Sequence, residues 1–114
     1  MLKEDLVQIS MELIQLSGEA RISVQKALDA LSLEDEAETK ALLHSAYKQI
    51  NRAHQIHADL IQKEAAGEMI PYTPLFSHAQ DALMTIFSEY NIAKQLASIF
   101  SVLDSRLKNL EQQN

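Results

Sequence analysis

The sequence predicts an all-α protein, an antiparallel up-down-up bundle of three helices that forms a single domain over residues 1–114. Hydrophobic residues make up 46% of the chain, which is enough for a buried core. Only two glycines and two prolines are present, whereas sheets need tight turns that use these residues. Apolar residues recur at helical spacing over long stretches, and three long helices joined by short loops form such a bundle.

The first helix is predicted over residues 3–31. Its apolar stripe has members seven residues apart and others between them: Leu6, Leu13, Ala20, Ala27, Ile9, Leu16, Val24 and Leu31. Gly18 interrupts this helix at a cost of about 1 kcal/mol. Because Ala20 and Ala27 nearby are also small, we interpret Gly18 as a point where a neighbouring helix approaches closely.

The second helix is predicted to end near residue 66. Ser32 followed by Asp35 resembles a helix N-cap with an acid in the first turn, and Gly67 is placed as a C-cap. The acidic run "LEDEAE" (33–38) is interpreted as solvated. The apolar face of this helix is marked by four residues, Leu43, Tyr47, Ile50 and Ile61.

The third helix is predicted to begin in "GEMIPYTPLF" (67–76), which contains both prolines. Thr73 can cap it and Pro74 fits its first position, and the helix then extends to about residue 107. One apolar stripe should pack on the other helices: Leu75, Ala79, Ala82, Ile86, Ala93, Ala97 and Phe100. A second stripe lies a quarter turn or more away and consists of Ile92, Leu96, Ile99, Leu103 and Leu110. This stripe implies a partner, most simply another copy of the chain.

Toward its N-terminal end the second stripe becomes polar, with Thr85, Asp81 and His78. If copies meet along it, their Asp81 carboxylates converge and need protons, water or a cation, and oxygen ligands favour Mg²⁺. His78 lies one turn from Asp81 and has two interpretations. It is either a polar residue at the end of a bundle or a reactive imidazole, since a neutral ring nitrogen is a good nucleophile near pH 7.

Several classes of function are disfavoured. With 10 basic and 16 acidic residues, the net charge of −6 argues against a nucleic acid partner. No GxxxxGK[ST] loop is present, so no nucleotide is expected. We expect neither a signal peptide nor membrane insertion, and the absence of cysteine suits a cytoplasmic protein. His54 and His57 are spaced to bind a metal but are more simply structural, and His44 is expected to be exposed.

The segment "LFSHAQDALMT" (75–85) resembles the phosphorylation-site motif of the lactose/cellobiose-type enzyme IIA components of the bacterial sugar phosphotransferase system. "SGEARISVQKALDAL" (17–31) and "AHQIHADLIQKEAAGE" (53–68) are similar to the first and second helices of that family. The resemblance implies a homotrimer in which His78 carries a phosphoryl group. It also implies that Asp81 of all three subunits binds a divalent metal, Mg²⁺ as expected above, at the trimer axis. Gln80 is interpreted as a residue that helps to hold the phosphoryl oxygens.

The resemblance further implies a phosphoryl carrier. A ring nitrogen of His78, Nε2 by analogy with the family, would accept the group from phospho-HPr and pass it to a cognate enzyme IIB, while enzyme IIC moves a disaccharide of the lactose, cellobiose or chitobiose class. Leu75, Phe76 and Met84 are candidates for the docking surface, although ordinary packing is preferred for Leu75. Departures from the family pattern at His57, Ala58 and Ser77 leave the sugar open.

Three other interpretations are kept. The chain could be a structural helical oligomer in which His78 is incidental, or a regulatory relative that is phosphorylated but passes nothing on. A histidine phosphotransfer module of two-component signalling is the third, but such modules normally have four helices and this chain has residues for three long ones.

Overall fold

Three helices make up nearly all of the protein. The structure, a computed structural model, describes residues 1–113 and contains α1 (Lys3–Ser32), α2 (Glu36–Ala65) and α3 (Pro74–Gln112), with no strand among these residues. Each helix contacts the other two, and the molecule is a rod of 68 × 22 × 19 Å. The prediction of an all-α three-helix bundle is confirmed.

The core of α1 follows the predicted stripe. Leu6, Leu13, Ala20 and Ala27 are fully buried, whereas Ile9 and Leu16 of the intervening positions are half-buried. Buried positions along α1 are separated alternately by four and three residues, the spacing of helices that pack nearly parallel to their neighbours. The regular spacing keeps one narrow face of α1 against both partner helices.

The core face of α2 differs from the prediction at two positions. Tyr47 and Ile61 are 49% and 42% exposed. The buried residues of the helix keep the same three-and-four spacing: Thr39, Leu43, Ala46, Ile50, Ala53 and Leu60. Tyr47 and Ile61 each follow a buried position by one residue, which turns them about 100° away from the core.

The core face of α3 is also rotated relative to the prediction. Its buried residues are Phe76, Ala79, Leu83, Ile86, Tyr90 and Ala93. Of the predicted stripe, Leu75, Ala82, Ala97 and Phe100 are only half-buried. The prediction was wrong at Leu75 and Ala82 because it selected the neighbours of Phe76 and Leu83, which fill the core, whereas the half-buried Ala97 does pack against the core. Phe76, proposed for a docking surface, therefore belongs to the core, whereas Met84 is exposed.

The connection between α1 and α2 begins later than predicted. Ser32 is still part of α1, and its hydroxyl donates to the carbonyl oxygen of Asp29 at 2.7 Å. The N-cap of α2 is Asp35, whose carboxylate accepts from the backbone N–H of Glu38 at 3.1 Å. Between them Glu34 adopts a φ of +62°, a left-handed conformation that L-residues rarely take.

The end of α2 and the start of α3 match the prediction closely, whereas the end of α3 does not. Gly67 follows the last residues of α2 with a φ of +102°, and its N–H donates to the carbonyl of Glu64. The Thr73 hydroxyl accepts from the N–H of Phe76 at 3.1 Å, and Pro74 is the first residue of α3. The helix ends at Gln112 rather than near residue 107.

Gly18 does not mark a close approach of helices within the chain. A Cβ atom added there would meet no atom within 4 Å. The prediction was wrong because Gly18 is exposed and lines an open groove between α1 and α3.

Candidate functional site

The groove between α1 and α3 contains His78. It has a volume of about 350 Å³ and is lined by eight residues: Ile14, Ser17, Gly18, Arg21, His78, Asp81, Ala82 and Thr85. Each helix contributes four of these residues. On α1 the other three follow Ile14 by three, four and seven residues, and on α3 they follow His78 at the same spacings, so that each set lies on one face of its helix. Since a water molecule occupies about 30 Å³ of liquid, the groove has room for a phosphoryl group and its hydration.

His78 is exposed and lies in the second turn of α3. Its position is fixed by the Thr73 cap and by Pro74, which hold the first turn of the helix. A rigid helical backbone therefore presents an imidazole that a second protein can reach. Group transfer between two proteins requires such an accessible and well-positioned side chain.

Asp81 is exposed one turn after His78 and lines the same groove. Within residues 1–113 no Lys, Arg or His lies within the 4 Å of an ion pair with it. In the described part of the chain no three His, Asp or Glu side chains come together as a metal site. A site that takes one carboxylate from each of several copies would not be seen in one chain. The free carboxylate oxygens of Asp81 have the chemistry that a hard divalent cation requires.

Gln80 lies on another side of α3. It is two residues after His78, about 200° around the helix, and lines a separate pocket with Leu60, Ile70 and Phe76. Its amide Nε2 is 3.0 Å from Nε2 of His57. The structure therefore brings Gln80 to α2 rather than to the groove of His78 in the same chain, and its role toward phosphoryl oxygens stays a prediction.

His57 is the partner of Gln80. Burial lowers the pKa of His57 below its ordinary value of 6.5, and the neighbouring His54 lowers it further. The ring is therefore held neutral near pH 7, and its Nε2 lone pair can accept the amide N–H of Gln80. This bond ties α2 to α3 just below the turn that carries His78.

His54 packs one turn before His57. Its ring meets Phe87 edge-on, with the ring centroids 4.8 Å apart, and its Nε2 is buried with no hydrogen-bond partner among the described residues. The contacts of both histidines join α2 to α3, in agreement with the structural role predicted for them. His44 is exposed, as predicted.

The second apolar stripe of α3 faces away from the bundle. Its five residues are between 45% and 59% exposed: Ile92, Leu96, Ile99, Leu103 and Leu110. Val102 and Leu107 widen it at the C-terminal end. A row of exposed apolar residues of this kind is typical of a surface that binds another molecule. No helix of the described residues is long and apolar enough to cross a membrane.

Sequence reasoning missed the contribution of Arg21. Its guanidinium pairs with the Glu89 carboxylate through two N–O contacts of 3.3 Å, and it lines the groove of His78. The signal was present in the spacing of Ser17 and Arg21, which are four residues apart and lie on the face of α1 that turns toward α3. The segment "SGEARISVQKALDAL" was compared with the first helix of the family, but no role was predicted for Arg21 within it.

Comparison with known proteins agrees with this arrangement. Residues 8–101 match the family described as "PTS system, Lactose/Cellobiose specific IIA subunit". The oligo-beta-mannoside-specific EIIA component of Bacillus subtilis is 37% identical over 93 residues, which cover 82% of this chain and 84% of the relative. The lactose-specific EIIA component of Lacticaseibacillus casei is 30% identical over 109 residues, covering 96% of this chain and 94% of the relative.

Solved structures show the same fold. PtcA from S. mutans superposes with a TM-score of 0.87 at 32% identity, covering 89% of this chain and 99% of that one. The PTS cellobiose-specific enzyme IIA from Bacillus anthracis gives a TM-score of 0.83 at 32% identity, covering 92% and 94% of the two chains. This chain therefore belongs to the lactose/cellobiose-specific enzyme IIA family and is a phosphoryl-carrying component of a sugar phosphotransferase system.

Proposed function

We propose that His78 is the residue on which this protein carries its phosphoryl group. The observation that supports this is the position of His78, which is exposed on a rigid helix and faces an open groove within the segment that matches the family. The other histidines are less suitable. His54 and His57 are engaged between α2 and α3, and His44 is not among the residues that line the groove.

The transfer uses the lone pair of a ring nitrogen of neutral His78, assigned as Nε2 by analogy with the family. This lone pair forms a bond to phosphorus of phospho-HPr, while the bond from phosphorus to the donor atom of HPr breaks and leaves its electron pair on HPr. The same exchange then moves the group to a cognate enzyme IIB. Neither step changes an oxidation state or needs a nucleotide, and each depends mainly on positioning and charge stabilisation.

We also propose that three copies assemble along the exposed stripe of α3. That stripe is apolar over its C-terminal two-thirds, and it reaches Asp81 and His78 at its N-terminal end. Convergence of three Asp81 carboxylates needs compensation, and a divalent ion such as Mg²⁺ on the trimer axis would supply it by neutralising their charge.

The assembled carrier would work in the cytoplasm, between HPr and an enzyme IIB that serves a membrane-bound enzyme IIC. The sugar would be a disaccharide of the lactose, cellobiose or chitobiose class. Its relatives are named for lactose, cellobiose, lichenan and oligo-beta-mannosides, which supports a glycoside as the cargo but leaves its identity open.

The first experiment is phosphoryl transfer to the purified protein by enzyme I, HPr and phosphoenolpyruvate, with intact mass as the readout. The wild type should gain one phosphoryl group per chain, the His78→Ala variant none, and the exposed control His44→Ala one. A chain that gains no phosphoryl group, in a system that charges a known enzyme IIA, would disprove the carrier role of His78. Charging without transfer to any enzyme IIB would indicate a regulatory relative.

The second experiment measures assembly by analytical ultracentrifugation. Leu96→Asp places a charge in the centre of the exposed stripe and should give monomers that keep their helical circular dichroism. Leu33→Asp is the control, since Leu33 is 79% exposed and lies outside the stripe. A Leu96→Asp protein that sediments as a trimer would show that copies meet elsewhere. Asp81→Asn should keep the trimer and abolish stabilisation of its melting temperature by Mg²⁺.

A further inference from the structure

A groove larger than that of His78 lies between α2 and α3, toward the turn that joins α1 to α2. This α2–α3 groove has a volume of about 690 Å³ and is lined on α3 by residues between Tyr90 and Ser101. Pockets that take small molecules measure about 300–1,000 Å³, so the groove has room for one. At 1.5 Å per residue it lies roughly 18–35 Å along α3 from His78, which makes it separate from the transfer site.

The inner part of the α2–α3 groove is apolar and aromatic. Leu31 and Leu43 line it and are each 8% exposed, and Tyr90 lines it from α3. The ring centroids of Tyr90 and Tyr47 are 6.2 Å apart, and His44, a lining residue, stacks on Tyr47 at 6.5 Å. An aromatic face is apolar and carries negative partial charge, so it packs well against the polarised C–H groups of a sugar ring.

Tyr90 also brings a polar group that the protein does not use. The residue is 9% exposed, and its hydroxyl makes no hydrogen bond with another described residue. Thr39, which lines the same groove, shows the ordinary alternative, since its hydroxyl donates to the carbonyl oxygen of Asp35 at 2.8 Å. Burial raises the pKa of Tyr90 and the neighbouring Tyr47 raises it further, so the hydroxyl stays protonated and can donate. A hydroxyl without a protein partner on a nearly buried side chain needs water or a ligand.

The open part of the groove carries positive charge in a molecule that is acidic overall. Lys40 of α2 and Lys94 of α3 both line it and are exposed, and neither lies within the 4 Å of an ion pair with a carboxylate of residues 1–113. Glu36 is the one acidic lining residue, so the lysines leave an excess of positive charge, whereas the whole chain has a net charge of −6. Ser98 and Ser101 add hydroxyl groups from α3. A local charge opposite to that of the molecule favours an anionic ligand.

We propose that the α2–α3 groove binds a phosphorylated sugar, whose phosphate pairs with Lys40 and Lys94 while its ring packs on the aromatic residues and accepts a hydrogen bond from the Tyr90 hydroxyl. Such a ligand uses both parts of the groove. A free phosphate would leave the apolar part uncovered, and a neutral sugar would leave both lysines unpaired. A phosphorylated sugar is also the product of a sugar phosphotransferase system, so this chain would bind the compound whose formation it supports. The proposal goes beyond phosphoryl carriage and holds whichever residue carries that group.

The test is calorimetric titration of the purified, unphosphorylated protein at one fixed salt concentration. The probes are the 6-phosphates of lactose, cellobiose and glucose, and the comparison ligands are neutral lactose, neutral cellobiose and inorganic phosphate. At least one 6-phosphate should bind at one site per chain and roughly tenfold or more tightly than any comparison ligand, because it makes charged and apolar contacts together. It should also raise the melting temperature as its concentration increases.

Two variants of the groove and two controls locate the binding site. Lys94→Gln should weaken binding of that 6-phosphate by roughly tenfold, the contribution of one hydrogen bond to a charged group. Tyr90→Phe keeps the ring and removes only the hydroxyl, so it should weaken binding by roughly threefold or more without lowering the melting temperature. Lys48→Gln is the matched control, because Lys48 is exposed on α2 and does not line the groove. His78→Ala should bind like the wild type.

Any of three results would overturn the proposal. The first is that none of the 6-phosphates binds at millimolar concentration. The second is that a comparison ligand binds as tightly as the 6-phosphates, which would leave the groove without a preference for a phosphorylated sugar. The third is an equal loss of binding in Lys94→Gln and Lys48→Gln, which would assign the binding to general surface charge. Failure of His78 to carry a phosphoryl group is a different result, because the titration uses unphosphorylated protein.

Discussion

Replacing Glu34 by glycine should stabilise the protein. Glu34 occupies the left-handed position after α1, with a φ of +62°, where its Cβ crowds the following carbonyl at a cost of about 1–2 kcal/mol. The turn itself is fully bonded, since the N–H groups of Glu34 and Asp35 reach the last carbonyls of α1 at 3.0 Å. Glycine fits the same conformation without strain, but its greater freedom in the unfolded chain costs about 0.4–1 kcal/mol. The net gain is therefore about 0.5–1 kcal/mol.

The assay is thermal unfolding followed by circular dichroism at one fixed protein concentration. For a chain of this length the entropy of unfolding converts that gain into an increase of roughly 2–4 °C in melting temperature. Glu34→Ala is the control, because it removes the same charge but keeps Cβ, and it should give no such increase. If Glu34→Gly melted at or below the wild-type temperature, or if Glu34→Ala gained as much, left-handed strain would not be the source of the effect.

Three further predictions concern the core and the helix that carries His78. The pKa of His57 in the folded protein lies below 6.5, so the unfolded chain binds more protons than the folded protein once the pH falls below about 6.5, and the stability of the fold should decrease with pH from there through the lowered pKa. His57→Gln should flatten this dependence in thermal melts at pH 7.5 and 5.5. An unchanged pH dependence in that variant would exclude His57 as its cause. Leu83→Ala, at a fully buried position of α3, should lower the free energy of unfolding in denaturant by about 3 kcal/mol. The control Leu33→Ala, at a position that is 79% exposed, should lower it by less than about 0.5 kcal/mol. Similar losses in the two variants would contradict the core described for α3. Thr73→Ala should cost about 1 kcal/mol and speed amide exchange in the first turn of α3, and unchanged exchange there would show that Pro74 alone holds that turn.

The sequence was sufficient for the number, type and order of the helices, because these depend on local features. Thr73, Pro74 and Gly67 mark ends through hydrogen bonds and backbone angles that involve only a few neighbouring residues. The exposed stripe of α3 could also be predicted, because it is defined by its own spacing and by the absence of an intrachain partner.

Choices between adjacent residues could not be made from one sequence. Tyr47 was predicted to face the core, but the adjacent Ala46 is the buried residue, and Ala82 was predicted to do so in place of the adjacent Leu83, which is fully buried. What decides is how the side chains of all three helices fill the shared core, which contains small alanines of α1 and large residues of α3. Ser32 and Asp35 are both good cap residues, and the hydrogen bonds of the turn around Glu34 select the second.

The part of the candidate site that lies on one helix could be predicted from the sequence, and the part that depends on packing between helices could not. His78 and Asp81 share one helix, so their spacing alone places them together. Arg21 comes from a different helix, and its place in the lining of the groove depends on how α1 and α3 pack against each other. Gln80 is close to His78 in sequence, but at 100° per residue it lies on another side of α3. There its side-chain amide contacts the ring of His57 on α2.

The length of α3 bears on how long a newly made chain survives. From residue 101 to residue 113 nearly every side chain is exposed, so the last turns of this helix gain little from the rest of their own chain. Helix ends with few contacts open readily and are preferred sites of proteolysis. If copies assemble along the exposed stripe of α3 as proposed, a protease should cleave this end of an unassembled chain more readily than the same end of an assembled one.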